Sequence, residues 1–481
     1  MVYTVPLLIN GEEKTSTTTF SVESPSSHAT IWSCSSACSA DVDAAVAAAS
    51  AAFPAWSKTK PAQRRNILLK VADLFEERAE ELKLHLRQET GSDEMVAAIN
   101  IVTAAEVIRD IAGRCSAIAG SIPVCQDEGR SALVLKEPYG VVLAIAPWNA
   151  PYFAGVRSVL FPLAAGNTCV LKGAELSPRC YYHIGRIFTD AGLPPGALNV
   201  LYTPREDSPA ITTQLINAPA VRKINFTGST AVGSHIAAAA GRALKPCLME
   251  LGGKAAAIVL EDADLELAAM QCTIGAFVHA GQVCMSTERI LVHEAVIDQF
   301  RPALQKAVAG FAPPSAPAPV LVQGAAVARN RALVADALAK GATLLHGDHT
   351  AEEPHPETGE ASSTRLRPIV VEGVTPEMAL YRDESFGPTV SVMVVKDEDQ
   401  AIAITNESEY GLSGAVFTRD LARGLRVAKR LECGNIHINA MSVHEEPNLP
   451  SGGVKSSGWG RFNGQWGLEE FVRIKTVTFR E

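Results

Sequence analysis

The sequence predicts an α/β protein built on a Rossmann-like, doubly wound parallel sheet, with more than one domain. Short uninterrupted apolar runs alternate with helical segments in the middle of the chain, as buried parallel strands and their crossover helices do. These runs end at turns rich in glycine, proline and asparagine. A length of 481 residues exceeds what one ordinary hydrophobic core accommodates, which predicts the additional domain.

The first part of the chain is predicted to be helical scaffold. Residues 39–49 are alanine-rich and begin with capping residues, which indicates a helix. Residues 61–86 follow an amphipathic pattern and are predicted as one further helical stretch. Neither segment concentrates residues that carry chemistry.

Four apolar runs then predict neighbouring parallel strands: residues 141–146, a run ending at 170–172, residues 199–202 and residues 222–228. Ligands of doubly wound sheets bind beyond the carboxyl ends of the strands. Asn149, Lys172 and Gly228 lie at such ends. We therefore expect these three residues at one edge of the sheet.

Composition excludes several classes of function. The net charge of −9 opposes binding to nucleic acid, which needs a basic surface. No uncharged apolar run approaches the roughly 20 residues that span a bilayer, and residues 1–11 lack the features of a secretory signal. Ten cysteines at irregular spacing indicate reduced thiols. These features predict a cytoplasmic protein that has neither nucleic-acid nor membrane partners.

A second α/β stretch is predicted from about residue 251 to 434. It contains a polar insert at 347–364, in or beside which lie His346, His349 and His355. Their spacing matches no standard metal site, and a solvated loop is the expected structure. No metal is predicted.

Two glycine-rich segments contain the residues best suited to catalysis. Cys284 follows Gly281-Gln282-Val283 and is a candidate nucleophile, whereas Glu250 precedes Leu251-Gly252-Gly253 and is a candidate base. Asn149, between Trp148 and Ala150-Pro151, is a candidate amide donor. Nucleophile, base and oxyanion donor together predict covalent chemistry on a carbonyl group. The alternatives are a buried structural thiol, a capping carboxylate and a turn asparagine.

Six motifs in order give the chain a resemblance to the aldehyde dehydrogenase superfamily over nearly its whole length. The motifs are Pro147-Trp148-Asn149, Lys172-Gly173-Ala174-Glu175, Phe226-Thr227-Gly228-Ser229-Thr230, Glu250-Leu251-Gly252-Gly253-Lys254, Gly281-Gln282-Val283-Cys284 and Glu384-Ser385-Phe386-Gly387-Pro388. The resemblance implies a cofactor domain of residues 1–118 and 141–251 and a catalytic domain of residues 252–455. It implies oligomerisation segments at 119–140 and 456–481, and hence a homodimer or homotetramer.

The resemblance also implies the catalytic roles. Cys284 would attack an aldehyde, and the Asn149 side chain and the Cys284 backbone N–H would hold the resulting oxyanion. Loss of a hydride to a nicotinamide would leave a thioester, which water activated by Glu250 would hydrolyse.

The expected cofactor is NAD. The sequence has no Gly-x-Gly-x-x-Gly fingerprint, and the turn at 228–233 is expected to hold the pyrophosphate instead. Glu175 beside the ribose would repel a 2′-phosphate, although the Lys172–Glu175 pair has a simple surface ion pair as its alternative. The family pattern has Pro-Ser where this chain has Gly173-Ala174. The cofactor residues implied by the resemblance are Ile145, Ala146, Pro147, Trp148, Lys172, Glu175, Gly228, Ser229, Val232, Leu251, Gly252, Glu384 and Phe386.

Within the superfamily, the segment 444–462 looks like those of salicylaldehyde and vanillin dehydrogenases, which implies an aromatic aldehyde substrate. Arg157 or His444 is then expected to contact a phenolic oxygen, and Arg157 has the alternative of pairing with a structural acid. Aliphatic or semialdehyde substrates, thioester transfer to coenzyme A and a non-catalytic binding protein stay open as competing functions. The candidate substrate-lining residues are Tyr152, Phe153, Arg157, Val283, Met285 and His444.

Overall fold

The structure is a computed structural model that describes residues 3–356 and 358–480. The strands of this described part are β1 (Thr4–Val5), β2 (Leu7–Ile9), β3 (Glu12–Lys14), β4 (Thr19–Glu23), β5 (Thr30–Ser35), β6 (Arg130–Pro138), β7 (Val141–Ile145), β8 (Thr168–Lys172), β9 (Leu198–Leu201), β10 (Val221–Thr227), β11 (Cys247–Glu250), β12 (Ala255–Val259), β13 (Thr287–His293), β14 (Thr343–His346), β15 (Ile369–Glu372), β16 (Thr389–Val395), β17 (Ser413–Phe417), β18 (Asn435–Ile438), β19 (Gly458–Trp459) and β20 (Val472–Arg480). The α-helices are α1 (Ser39–Trp56), α2 (Pro61–Glu77), α3 (Ala79–Thr90), α4 (Glu94–Arg114), α5 (Pro151–Ala164), α6 (Pro178–Asp190), α7 (Ser208–Asn217), α8 (Thr230–Arg242), α9 (Leu265–Phe277), α10 (Ile297–Phe311), α11 (Gly324–Ala339), α12 (Ala379–Arg382), α13 (Glu398–Glu407), α14 (Leu421–Arg430) and α15 (Gly464–Glu469).

An eight-stranded sheet forms the first half of the fold, in the order β19-β11-β10-β7-β8-β9-β2-β3. The four predicted strands are its neighbouring parallel members β10, β7, β8 and β9. Their apolar side chains are buried because helices cover both faces of a parallel sheet. The expected Rossmann-like sheet is confirmed. Its carboxyl edge places the ends of β7, β8, β10 and β11 side by side.

A seven-stranded sheet forms the second half, in the order β14-β15-β16-β13-β12-β17-β18. Side chains alternate along the interior strand β12, which lies between β13 and β17. Ala256 and Ile258 belong to one apolar cluster, and Ala257 and Val259 to another. Such alternation shows that β12 is covered by packed side chains on both faces. A glycine-rich segment of four residues, 251–254, joins this sheet directly to β11 of the first.

The helical stretch predicted at 61–86 is wrong in one respect, because the chain forms two helices that meet at Arg78. This residue leaves helical geometry, with φ −100° and ψ 12°. Its guanidinium pairs with Asp190 of α6 at 2.8 Å. The amphipathic pattern continues through the break, so periodicity alone does not reveal it.

A two-stranded ribbon of β6 and β20 pairs residues 130–138 with residues 472–480. Ile474, Val477 and Phe479 expose apolar side chains on β20. In the segment 456–481, β19 pairs instead with β11 of the eight-stranded sheet. The domain boundaries stay a prediction, and this strand pairing assigns residues 458–459 to the first sheet. None of the described helices combines the length and apolar composition needed to cross a lipid bilayer.

Candidate active site

The candidate nucleophile Cys284 follows a strained turn at Val278–Gly281. His279, Ala280 and Gly281 all have positive φ, at 52°, 55° and 72°. A Cβ atom on Gly281 would lie 2.2 Å from the Gly387 carbonyl oxygen, so only glycine fits there. The turn therefore fixes the backbone just before the thiol by strain and by close packing.

The candidate base lies at the carboxyl end of β11. Glu250 is buried, and the Cys284 thiol donates to its Oε1 across 3.7 Å. The hydroxyl of Thr227, at the end of the adjacent strand β10, donates to Oε2 at 3.5 Å. The two sheets thus bring the thiol and the carboxylate together, although 33 residues separate them in sequence.

The candidate oxyanion donor Asn149 lies in the loop between β7 and α5, where Pro151 starts the helix. Its Nδ2 donates to the Gln282 carbonyl oxygen at 2.8 Å. Because a side-chain amide has two N–H groups, this bond orients the amide and leaves the other N–H for a substrate oxygen. The hydrogen bond also ties the first sheet's loop to the segment that bears Cys284.

Arg157 of α5 connects the base to a second acid. Its Nη2 pairs with Glu250 Oε2, and its Nη1 pairs with Glu445 Oε1 at 2.5 Å. All three side chains are at least nine-tenths buried. Of the two expectations for Arg157, the structure shows the pairing with an acid, and one of its acids is the candidate base itself.

Burial dominates the electrostatics of the thiol and the base. It raises the pKa of the Glu250 carboxyl, and the Arg157 guanidinium opposes that effect. Burial also raises the pKa of the Cys284 thiol, and the adjacent Glu250 carboxylate raises it further. A protonated thiol beside a carboxylate of raised pKa is suited to losing its proton to that carboxylate as it attacks.

A buried ion pair supports the loop that carries Glu384 and Phe386. Lys254 Nζ contacts Glu288 Oε2 at 2.5 Å, and both side chains are almost fully buried. Glu288 Oε1 accepts hydrogen bonds from Ser385 N at 2.8 Å and Phe386 N at 3.2 Å. These bonds hold Phe386 at a strained φ of 46°.

Replacing Glu288 by alanine is expected to lower the free energy of unfolding by about 3–5 kcal/mol, because it leaves the buried Lys254 ammonium without its counterion. Denaturant titration of wild type and variant measures the change. The control is Glu266→Ala, which breaks an exposed pair with Lys306 and should cost less than about 1 kcal/mol. A loss no larger for Glu288 than for Glu266 would show that this buried pair does not stabilise the fold.

The residues expected to bind the dinucleotide lie along the carboxyl edge of the eight-stranded sheet. Ser229 caps α8, and its hydroxyl accepts from Val232 N. The free N–H groups of this helix start suit a pyrophosphate. The other expected residues are placed at the end of β7 and the loop after it (Ile145, Ala146, Pro147, Trp148), at the end of β8 and beyond it (Lys172, Glu175), just before α8 (Gly228), after β11 (Leu251, Gly252) and in the supported loop (Glu384, Phe386).

Lys172 gives the clearest sign that this edge fits a polar ligand. Its side chain is buried, and burial lowers its pKa. Within the described residues, neither Glu175 nor any other acid lies within 4.0 Å of its ammonium, so the surface ion pair offered as an alternative is absent. A buried ammonium without a carboxylate partner suits the hydroxyls of a ribose.

The departure Gly173-Ala174 from the family pattern has a packing reason. A Cβ on Gly173 would lie 2.7 Å from the Tyr181 ring. The Tyr181 hydroxyl donates to the Pro147 carbonyl oxygen at 2.6 Å. Glycine thus admits a tyrosine that supports the loop before Asn149.

Glu384 and the aromatic pair beside it complete this edge. Glu384 Oε1 accepts from Gly253 N at 2.9 Å, and burial raises the pKa of Glu384 to about 7. The rings of Phe386 and Trp148 meet edge to face at 6.0 Å. A carboxyl group that accepts hydrogen bonds suits a ribose, and a pair of apolar rings suits a nicotinamide ring.

The expected substrate-lining residues separate into two groups. Phe153 and Val283 are half-buried and stand next to Arg157 and Cys284 respectively. His444 is exposed and bonds Glu446 at 2.9 Å. The expectation for Tyr152 is wrong, because this side chain is fully buried edge-on against Phe75.

Met285 is likewise mostly enclosed, although it follows Cys284 directly. Its side chain is 9% exposed, and its carbonyl oxygen accepts from Ser442 Oγ at 2.7 Å. The segment on the far side of Cys284 is therefore anchored to the loop around Ser442.

Sequence reasoning missed two residues that the structure brings to the site. Glu445 contacts Arg157, and Glu288 supports the loop around Phe386. The sequence points to each of them only through a neighbour. Glu445 directly follows His444, a candidate substrate residue, and Glu288 lies four residues after Cys284. Neither position in the sequence indicates which buried cation the acid pairs with, Arg157 for Glu445 and Lys254 for Glu288.

Comparisons with known proteins point to one family and one fold. The model of the aldehyde dehydrogenase family matches residues 12–477. A vanillin dehydrogenase of a Pseudomonas species is 42% identical, covering 100% of this chain and 98% of that protein. The crystal structure of a salicylaldehyde dehydrogenase from Pseudomonas putida G7 complexed with salicylaldehyde superposes with a TM-score of 0.93 at 35% identity, covering 99% of this chain and 98% of that one. An NADP-dependent glyceraldehyde-3-phosphate dehydrogenase from Bacillus halodurans complexed with NADP gives a TM-score of 0.92 at 31% identity, with 99% coverage of each chain.

Proposed function

Because the chain belongs to the aldehyde dehydrogenase family, we propose that it catalyses the NAD-dependent oxidation of an aromatic aldehyde to its carboxylic acid. The observation that carries this proposal is the 3.7 Å contact between the Cys284 thiol and Glu250, with the Asn149 amide bonded to the same segment. The contact joins a candidate nucleophile to a candidate base at the carboxyl edge of the eight-stranded sheet, where the proposed cofactor residues also lie. The proposal therefore includes a covalent mechanism.

In the first step Cys284 attacks the aldehyde carbon, and Glu250 accepts the thiol proton. A carbon–sulfur bond forms, and the carbonyl oxygen takes the electron pair of its π bond. The free N–H of Asn149 and the Cys284 backbone N–H stabilise this oxyanion, each by roughly 3–4 kcal/mol. A bound nicotinamide dinucleotide supplies the acceptor for the hydride that the former aldehyde carbon must lose.

In the second step water hydrolyses the Cys284 thioester. Glu250 first passes the thiol proton to solvent. It then removes a proton from the water as it attacks, and the carbon–sulfur bond breaks with its electron pair returning to sulfur, which takes the proton from Glu250. The acid leaves, and the enzyme regains its thiol. A buried carboxylate of raised pKa is a stronger base than an exposed one, which suits this role.

NAD is the proposed cofactor because Glu175 lies three residues beyond Lys172, the last residue of β8. A carboxylate there favours a ribose with a free 2′-hydroxyl over one with a 2′-phosphate. NADP is the alternative, and the NADP complex of the Bacillus halodurans protein makes it worth direct measurement.

An aromatic aldehyde is the proposed substrate because the similar proteins include dehydrogenases of vanillin and salicylaldehyde. Phe153 is half-buried, and its ring lies 5.0 Å from the guanidinium of Arg157, which in turn pairs with Glu250. Phe153 therefore offers an aromatic surface near the candidate base. Aromatic rings pack favourably against such a surface.

Initial rates of NADH or NADPH formation with salicylaldehyde, vanillin, benzaldehyde and a short aliphatic aldehyde test the proposal. We expect the highest kcat/KM with an aromatic aldehyde and NAD, at least about tenfold above the aliphatic aldehyde because one aromatic contact is worth about 1.5 kcal/mol. A preference for the aliphatic aldehyde would contradict the substrate class and leave the chemistry standing. A preference for NADP would contradict the role given to Glu175.

The enzyme is proposed to act in the cytoplasm as a homodimer or homotetramer. All ten cysteines are free thiols in the structure, which suits a reducing compartment. The exposed apolar residues Ile474, Val477 and Phe479 on β20 support an oligomer, because an edge strand of this kind favours pairing with another chain. Light scattering of the purified protein measures the number of subunits.

A further inference from the structure

The active site contains more buried charge than the proposed chemistry requires. Arg157 bonds two carboxylates at once, Glu250 through one nitrogen and Glu445 through the other. Glu445 touches neither Cys284 nor the dinucleotide residues in any described hydrogen bond. A second buried acid is costly to desolvate, so its presence calls for a function.

We propose that Glu445 is a positioning residue which, by sharing Arg157 with Glu250, sets the basicity of Glu250 and permits its release during thioester hydrolysis. The proposal rests on the aldehyde dehydrogenase chemistry proposed above. It assigns Glu445 no contact with the reacting atoms: its effect comes from the Arg157 that it shares and from its own charge near Glu250 and Cys284.

The first support is the rigidity of the arrangement. The Arg157 guanidinium lies over the rings of Phe153 and Phe462, at 5.0 and 4.3 Å from their centroids. Glu445 Oε1 also accepts from Asn463 Nδ2 at 2.7 Å. Stacking fixes the plane of the guanidinium, and Asn463 fixes the second acid at its edge. Arg157 is therefore held independently of Glu250.

The second support is the balance of charge around the base. Four side chains surround the Glu250 carboxyl. They are Arg157 of α5, Glu445 of the loop after β18, Cys284 of the loop before β13 and the neutral Thr227 of β10. Arg157 favours the ionised form of Glu250, whereas Glu445 disfavours it. A single cation bonded only to Glu250 would stabilise the carboxylate and weaken it as a base. Glu445 takes up part of that cation's charge.

The third support concerns movement. In the structure Glu250 contacts the thiol and Arg157 together, whereas hydrolysis requires it to turn toward a water molecule at the thioester. Without Glu445, that turn would leave a buried guanidinium unpaired, which is strongly unfavourable. With Glu445 in place, Arg157 keeps one counterion throughout.

Glu445→Gln separates charge from geometry. Glu445 accepts from Arg157 and Asn463 through the same oxygen, Oε1, and a glutamine amide oxygen accepts both bonds. The control is Glu446→Gln, which removes a charge from the adjacent exposed residue. Arg157→Met removes the cation and should act in the opposite direction. Thermal unfolding checks that each variant is folded.

The first measurement is the pH dependence of steady-state turnover at saturating aldehyde and cofactor. For Glu445→Gln we expect the acid limb to move to lower pH and the plateau rate to fall several-fold, because Glu250 becomes a weaker base. For Arg157→Met we expect the acid limb to move to higher pH. KM for the aldehyde should change less than kcat. Profiles of Glu445→Gln that superimpose on wild type and on Glu446→Gln would overturn the proposal.

The second measurement needs no aldehyde turnover. The rate of alkylation of Cys284 by iodoacetamide across pH reports thiolate formation beside Glu250. We expect Glu445→Gln to alkylate several-fold faster near neutral pH, because Glu445 raises the pKa of the Cys284 thiol and Arg157 lowers it. An unchanged alkylation profile overturns the proposal even in an active enzyme. A changed profile in a protein that oxidises no tested aldehyde supports the charge sharing and contradicts the proposed function alone.

Discussion

Cys284→Ala is expected to abolish aldehyde oxidation, lowering kcat/KM by on the order of 10⁴-fold or more, because no other group can form the covalent intermediate. The thiol is the only side chain of the described residues within hydrogen-bonding reach of Glu250 that is a nucleophile of this strength. Stopped-flow absorbance of NADH measures both the first turnover and the steady state. Both phases should disappear, since the substitution prevents the attack that precedes hydride loss.

The matched control is Cys125→Ala, which removes a partly exposed thiol from the segment between α4 and β6. This variant should keep wild-type rates, because Cys125 lies in the segment between two elements that do not contribute to the site. Retention of more than about a tenth of the activity by Cys284→Ala would rule out Cys284 as the essential nucleophile, since the loss expected for it is far larger.

Glu250→Gln is expected to slow steady-state turnover by roughly 10²–10⁴-fold, the usual contribution of a general base. Glutamine keeps an oxygen for Arg157 and Thr227 but cannot accept a proton from water. Loss of the Glu250 charge also lowers the pKa of the Cys284 thiol, and a thiol ionises far more readily than water. The attack should therefore be slowed less than hydrolysis, and the thioester on Cys284 should accumulate. A burst of NADH approaching one equivalent per active site, followed by a slow phase, is the expected time course.

The turnover rate of the wild type and of Glu250→Gln should depend differently on pH. The pKa of Glu250 is raised by burial, so its ionised fraction, and with it the wild-type rate, should increase as pH rises through that pKa. In Glu250→Gln this rise should be lost. Hydroxylamine, which attacks thioesters without a general base, should restore turnover of the variant. Failure of hydroxylamine to do so would place the defect before the thioester and contradict a role for Glu250 in hydrolysis.

The sequence predicted the eight-stranded sheet well because its evidence is local. Continuous apolar runs specify buried parallel strands, and four of them appear as neighbours in the structure. The helix break at Arg78 escaped prediction because the residue's backbone geometry and its ion pair with Asp190 leave the apolar periodicity unchanged. Tyr152 was misassigned because one turn of helix directs neighbouring side chains to different faces, one into the core and the next, Phe153, toward Arg157.

The sequence alone determined the family and predicted Asn149, Glu250 and Cys284 as the catalytic residues, because glycine-bounded motifs at strand ends require specific backbone geometry that few residues satisfy. Parallel strands share one carboxyl edge, so these motifs converge once the sheet exists. Only the tertiary structure shows which acids pair with the buried Arg157. Arg157 is 93 positions from Glu250 and 288 from Glu445, and no local periodicity encodes contacts at such separations. A buried ion without a counterion is strongly unfavourable, so Arg157 pairs with the acids that lie nearest to it. The position of α5 beside the loop after β18 makes Glu445 one of those acids.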